Sequence, residues 1–400
     1  MNPAAPPAAP APAVPVRYDY LDALRGLAFL GVLSIHVAAG TGQAFPGARV
    51  AVAGKYGVQL FFMVSAFTIF LTLDRARWKG WRTPAEFFVR RFFRVLPMFW
   101  VGLVLYAFVP GRAPMYAGLH FTPLQYGLTA LLQHGWRPRL INSLVPGGWS
   151  IAVEGTFYLV APLLFRWVRT WQAALWLLLG SLGVGALAHA GVMTLYDHRE
   201  LFTREPRWLV EPFLDDWFPA QLPVFAAGVL AYHLAGHLER RPAWTRPTGA
   251  LLLAVAAVWL AASVDIGTHG PVPEHVFFAL GFLPLLLGLR TWPAAALVNP
   301  ATRFLGRISY SAYLLHFAVL EAASNSLKTF LEPEWQESGL AYALLGVLTL
   351  AGTVPLAWLA HRYVERPGID LGAKLIRLRR AAAGADAMPA SPELAAVAGR

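Results

Sequence analysis

Long apolar runs alternate with short polar ones along this chain. Ten runs approach the roughly 20 apolar residues a helix needs to cross a bilayer core of about 30 Å. They are residues 20–39, 56–73, 94–109, 149–168, 172–191, 219–236, 248–264, 275–290, 306–323 and 340–360. The pattern predicts an all-α, polytopic integral membrane protein of about ten transmembrane helices. The runs at 94–109 and 219–236 are the most interrupted, being short or carrying Pro97, Pro219 and Pro223. Segment 122–134 is apolar but too short to span, and predicts an interfacial or re-entrant element. Residues 1–16 are almost wholly Pro, Ala and Val, without period or charge, and predict a disordered tail. The membrane domain is then expected over 17–370, followed by a basic juxtamembrane segment and loose tail over 371–400. No basic stretch precedes the first run, which is too long for a signal-peptide core and is expected to stay as a helix. No internal repeat of the kind found in many transporters is visible.

Composition narrows the picture. Apolar residues make up 57% of the 400 and charged residues 14%, with mean hydropathy +0.49. Soluble domains run at about 45–50% and about 25%. With Cys 0, disulfides, thiolate nucleophiles and Cys-ligated zinc or iron–sulfur centres are excluded. The net charge of +11 could suggest nucleic acid, but the charges sit in short clusters between apolar runs, so no nucleic-acid partner is expected. Arg75, Arg77, Lys79, Arg82, Arg90 and Arg91 lie between the second and third runs; Arg169, Arg240, Arg241, Arg246 and Arg303 occupy alternate loops. Arg362, Arg366, Lys374, Arg377, Arg379 and Arg380 follow the last run, and the opposite loops are mixed or acidic. The positive-inside bias predicts both termini in the cytoplasm, facing anionic lipids. The Ala-, Pro- and Arg-rich composition points to a GC-rich bacterium and its inner membrane.

Ionisable groups inside a membrane are costly, so each is a functional candidate. The informative ones are Arg25, His36, Glu154 and His316, with Arg91 and Arg94 at the start of the third run. Arg25 and His36 share a helix face, about 16 Å apart along the axis. Depth counting puts His36 and Glu154 toward the outer end, and Arg25, Arg91 and Arg94 toward the inner. An arginine cluster suits a phosphate-bearing ligand. A histidine with a carboxylate partner suits activation of a hydroxyl. An elongated cytoplasmic donor with phosphates at one end, such as acyl-coenzyme A, fits both.

These residues lie in stretches that resemble the acyltransferase-3 family of integral-membrane acyltransferases. The stretches are LDALRGLAFLGVLSIHV (21–37), GVQLFFMVSAFTIF (57–70), FFVRRFFRVLP (87–97), GGWSIAVEGTFYLVAPLLF (147–165), LGRISYSAYLLHFAV (305–319) and YVERP (363–367). They stand in the family's order and cover about 20–370. The resemblance implies O-acylation of surface polysaccharides or secondary metabolites from acyl-CoA, with acetyl the expected group. The family's Arg–x10–His falls on Arg25 and His36, its Arg–x–x–Arg on Arg91 and Arg94, and its Trp-Ser…Glu on Trp149, Ser150 and Glu154. It implies that His36 is essential and that the Arg91/Arg94 pair lies near the donor. The chain departs from the family at Gly155, Thr156 and Ala66, positions that bear on the shape of the acceptor pocket. With the last run ending near 360, no outer hydrolase-like domain is expected.

The expected mechanism is direct transfer. His36 is the general base, Glu154 orients it or binds the acceptor, Arg25 serves the active site, and Arg91 and Arg94 hold the donor. A ping-pong route through acyl-His36 is the mechanistic alternative; Ser65 reads as a packing residue, with an acyl-serine intermediate left open. Trp149 and Ser150 read as an interfacial anchor and helix cap, His316 as an interhelical hydrogen bonder or a tunnel residue, and Glu365–Pro367 as a structural cap of the last span. His189, His233, His237, His269 and His361 lack metal-ligand spacing with carboxylates, so no metal is expected. Expected partners are acyl-CoA, a glycan or glycoside acceptor and membrane lipids; no oligomeric state is indicated. The rival readings are a transporter or flippase for a lipid-linked or polysaccharide substrate, and a sensor that kept the fold without the activity.

Overall fold

The structure, a computed structural model, describes residues 18–41, 45–76, 82–108, 120–239, 246–266, 272–330 and 338–385. Among these, fourteen α-helices and short 3-10 and π turns appear, and no strand. They are α1 (Asp19–Ala39), α2 (Ala48–Ala53), α3 (Gly57–Arg75), α4 (Arg82–Phe108), α5 (Pro123–Ala130), α6 (Gly148–Trp167) and α7 (Trp171–Asp197). Then come α8 (Arg207–Asp216), α9 (Phe218–Glu239), α10 (Arg246–Ile266), α11 (Glu274–Thr291), α12 (Pro300–Phe330), α13 (Gly339–Ala360) and α14 (Arg366–Ala385). The predicted tail at 1–16 and the end of the chain beyond Ala385 lie outside the described residues; the stretch to Ala385 is helical.

Nine helices among the described residues are long and apolar enough to cross a membrane, and the protein is an all-α polytopic membrane protein. Nine of the ten predicted runs fall on them. The tenth, 306–323, lies on α12, whose 31 residues suffice in length but carry Arg303, Arg307, His316, Glu321 and Lys328. That polarity has a place to go, because α12 is packed between α1 and α13 rather than turned to lipid. By contrast α7 and α10 expose Trp176, Val184, Leu187, Leu251 and Val258, as an outer ring facing hydrocarbon should. The prolines that interrupted two runs do not break them. Pro97 and Pro223 sit inside α4 and α9, where neighbouring helices can satisfy the freed backbone groups.

α1 and α12 run parallel and cross with their backbones in contact. A Cβ on Gly26 would overlap the Thr302 carbonyl, and one on Gly306 would overlap that of Asp22. Small residues at such crossings permit close van der Waals packing where lipid supplies no hydrophobic drive. The crossing brings the polar face of α12 beside Arg25 and, farther along, beside His36.

The segment before α6 is buried against the bundle. α5 is closed by a Thr122/Gln125 capping box, and a 3-10 turn follows at Gln133–Trp136. Leu140, Ile141, Leu144 and Val145 are then all buried, so α6 begins inside the bundle.

Candidate active site

The start of α6 is a hydrogen-bonded turn that aims the helix. Gly147 takes a left-handed φ of 72° and its N–H donates to Asn142 Oδ1 at 2.9 Å. A side chain there would be strained and would also strike the Tyr313 hydroxyl. The Tyr313 hydroxyl donates to Gly147 O at 2.9 Å, and Ser150 Oγ lies 2.8 Å from the same hydroxyl. His134, buried outside the spans and pushed down to about 4 by desolvation, is neutral; its Nε2 meets Gly148 O at 3.0 Å. Ser150 Oγ also donates to Gly147 O at 3.0 Å; the N-cap is Gly147 and no side chain caps it, so the capping role expected of Ser150 is not present.

One turn beyond Ser150, Glu154 faces Ser65 of α3, whose Oγ donates to Glu154 Oε1. Both line a chamber of about 90 Å³ together with Arg25, Arg91, Arg94, Tyr158, Tyr310 and Tyr313. Arg25 lies 3.5 Å from Asp22 Oδ1 and donates to Thr68 Oγ1 at 3.2 Å. The Arg91 guanidinium rests over the rings of Phe87 and Tyr158, 5.4 and 5.3 Å from their centroids. Arg94 makes no hydrogen bond or ion pair among the described residues. Three cations therefore meet two carboxylates, one of them already engaged by a serine hydroxyl. The surplus is positive, and it suits an anion.

Arg25 and Arg94 also line a second, larger cavity of about 690 Å³, bounded by α1, α12 and the α13–α14 junction. Its walls include Asp22, Arg307, His361, Glu365, Arg366 and Asp370. At that junction the backbone forms a π turn at His361–Glu365, an irregularity frequent at functional sites. Glu365, 1% exposed, accepts from Ser311 Oγ at 3.1 Å and pairs with His361 Nδ1 at 3.0 Å. Beyond it α14 lies along the first half of α4, where Arg380 Nε donates to Glu86 Oε1 at 2.6 Å. The two cavities share Arg25 and Arg94 in their walls.

His36 lies off the lining of both cavities. Its ring lies tilted against Phe317, at 4.4 Å between centroids, and His316, at 5.3 Å. Its side chain makes no hydrogen bond among the described residues. Tyr313, one turn before His316 on α12, stands between this cluster and the chamber, with ring centroids 5.9 Å from His316.

The structure thus brings Arg25, Arg91, Arg94 and Glu154 together and leaves His36 apart. The expected Glu154–His36 pairing is not present: Glu154 is bonded to Ser65 and shares its chamber with the arginines. The buried segment before α6 starts that helix inside the bundle, so Glu154 meets Ser65 and the arginines instead of His36. Ser65, expected to pack, and Glu365, expected to cap the last span, line the cavities, as does Tyr313, which sequence reasoning did not single out. Ala66 is buried against Gly228, and Gly155 makes room for Leu132, so neither departure from the family pattern touches the chamber. Among the described residues no group of three or more His, Cys, Asp or Glu gathers as metal ligands would.

Comparison with known proteins agrees with the six ordered stretches. The chain is 26% identical over 345 residues to "Nodulation protein 10" of Rhizobium leguminosarum bv. viciae, covering 81% of this chain and 84% of that one. It is 26% identical to "Acyltransferase MdmB" of Streptomyces mycarofaciens, covering 89% and 92%, and 26% identical to "Exopolysaccharide production protein ExoZ" of Rhizobium meliloti, covering 83% and 93%. A family model described as an acyltransferase domain matches residues 18–361, nearly the whole membrane-embedded part. By that match and by its helical architecture, the chain belongs to the acyltransferase-3 family of multi-pass membrane acyltransferases.

Proposed function

We propose that this protein moves a short acyl group, acetyl in the simplest case, from acyl-CoA to a hydroxyl of a cell-surface or secreted glycan. The observation that carries the reading is Arg94. It is a cation without a partner among the described residues, and it lines both the large cavity and the chamber. A donor with phosphates outside and a thioester inside matches that shape. Arg307 and Arg366 add positive charge along the outer wall. The positive-inside pattern supports a cytoplasmic position for this basic end, where acyl-CoA is available. The small chamber favours a short acyl group over a long one.

In this reading the acyl end passes Tyr313 toward His36. The acceptor arrives from the opposite end, and its hydroxyl oxygen attacks the thioester carbonyl. His36 takes the hydroxyl proton and returns it to the departing CoA thiolate. Arg25, Arg91 and Arg94 hold the donor, and Glu154 fixes Arg25 and Arg91 rather than the base. The similarity to an exopolysaccharide-production protein supports a glycan acceptor. A glycosylated metabolite is the second acceptor class.

The test is mass spectrometry of surface glycans from a deletion strain complemented with wild-type, His36→Ala or Arg94→Ala protein. Loss of one acyl mass in the deletion and in both variants supports the reading. An unchanged glycan with an altered secreted metabolite moves the acceptor to the metabolite class. Transfer that persists with His36→Ala overturns the base. A phenotype with no acyl group gained or lost favours transport.

A further inference from the structure

His36 lacks the carboxylate partner that a histidine base normally uses to fix its tautomer, because Glu154 is held by Ser65 in the chamber. The structure offers another partner. His316 is 0% exposed, and its Nδ1 lies 2.7 Å from the Tyr313 carbonyl oxygen. A carbonyl only accepts, so Nδ1 carries the proton, and in the neutral ring Nε2 is a bare acceptor. That Nε2 is shielded from solvent and has no hydrogen-bond partner among the described residues. A buried acceptor left unpaired costs about 1–3 kcal/mol, so its retention calls for a reason. Four rings contact His316: Phe29, Tyr313, Phe317 and His36. The Tyr313 hydroxyl is committed to Gly147 and Ser150, so His36 alone offers a free N–H.

We infer that His316 is the positioning residue of His36: its Nε2 accepts the N–H of the His36 ring once that ring turns toward it. The centroids are 5.3 Å apart and the planes 41° from parallel, so a modest ring rotation brings the nitrogens together. The contact fixes which His36 nitrogen is bare. That nitrogen takes the acceptor's proton as the new C–O bond forms. The proton passes to the thiolate as the C–S bond breaks, leaving ester and free CoA. Throughout, His316 stays neutral and steadies the His36 imidazolium. The backbone supports the arrangement, since Tyr313 fixes the His316 tautomer through its carbonyl and the α6 turn through its hydroxyl. The inference rests on the acyl-transfer reading with His36 as base.

The test compares acetyl transfer by purified His316→Leu and His316→Gln proteins, alone and in the His36→Ala background, after checking monodisperse elution in detergent. Leucine removes the acceptor; glutamine restores an amide oxygen near the Nε2 position. His316→Leu should lower kcat on the order of 10²-fold or more, within the range of a mispositioned general base, with donor and acceptor KM unchanged. His316→Gln should recover a tenth or more of wild-type kcat. In the His36→Ala background His316→Leu should change nothing further. Full kcat in His316→Leu overturns the inference, as does an additive loss in the double variant or a loss that glutamine does not relieve. If His316→Leu does not accumulate in the membrane, the unbranched His316→Met takes its place. Should His36→Ala itself keep wild-type transfer, the underlying base assignment fails rather than the pairing.

Discussion

Two polar regions lie some 16 Å apart along α1, and they are built on opposite principles. Around Arg25 the charges are numerous and mostly answered: Asp22 and Thr68 hold Arg25, aromatic rings hold Arg91, and Ser65 holds Glu154. Around His36 the groups are few, neutral and unanswered. Its ring makes no hydrogen bond among the described residues, and His316 Nε2 has no partner. The first arrangement is a rigid, pre-paid receptor for a fixed pattern of charge. The second leaves lone pairs open for protons that arrive with a substrate. In the proposed function, binding and chemistry are thereby separated on one helix.

The comparison breaks first if the two regions fail to separate binding from chemistry. His36→Ala should reduce acyl transfer by about 10³-fold, within the usual span of general-base catalysis, while leaving acyl-CoA affinity at the wild-type value. Steady-state kinetics beside a direct donor-binding titration check this. Next, Arg94→Ala should raise the donor KM by about 10- to 100-fold, the loss of one charge-assisted hydrogen-bonding group, with a smaller change in kcat. Arg94→Lys should recover only part of it, because an ammonium cannot replace a planar guanidinium fork. Equal loss of KM and kcat in either variant would merge the two regions into one.

Ser65→Ala sharpens the picture within the chamber. It leaves Glu154 without its hydroxyl donor and should lower transfer by about tenfold, in line with a hydrogen bond to a charged group. Retained turnover in that variant, measured with single-turnover acyl transfer, also speaks against an acyl-serine step. The smallest effect belongs outside both regions. Glu86→Ala removes the Arg380 contact between α4 and α14, where Arg380 is 62% exposed. It should shift the melting temperature only slightly, a surface pair being worth about 0–1 kcal/mol, and leave kinetics unchanged.

Much of the architecture was legible in the hydropathy pattern, for a physical reason: lipid-facing and fully buried spans must both be apolar, so either kind shows as a run. α12 is the partial exception. It lines the polar interior, so its 31 residues carry charge that a hydropathy threshold penalises, and its role becomes clear only from its place between α1 and α13. The shared face of Arg25 and His36 was readable because both sit on one uninterrupted helix. The partner of Glu154 was not, because counting residues from a helix start assumes that the start lies at the membrane surface. The buried stretch through Val145 moves the start of α6 inward, and no periodicity in the sequence reports that displacement. The His316 tautomer was equally out of reach, since it depends on a carbonyl one turn earlier in the same helix. Glu365 looked like a helix cap because Arg366 and Pro367 follow it; the π turn instead rotates it inward, against Ser311.

The most direct test of the central claim is acetyl-CoA binding and acetyl transfer measured on the same preparations of wild-type, Arg94→Ala and His36→Ala protein. The account predicts that His36→Ala binds the donor as wild type does and transfers about 10³-fold more slowly, while Arg94→Ala binds it weakly. Normal transfer by His36→Ala, or undiminished binding by Arg94→Ala, would contradict it.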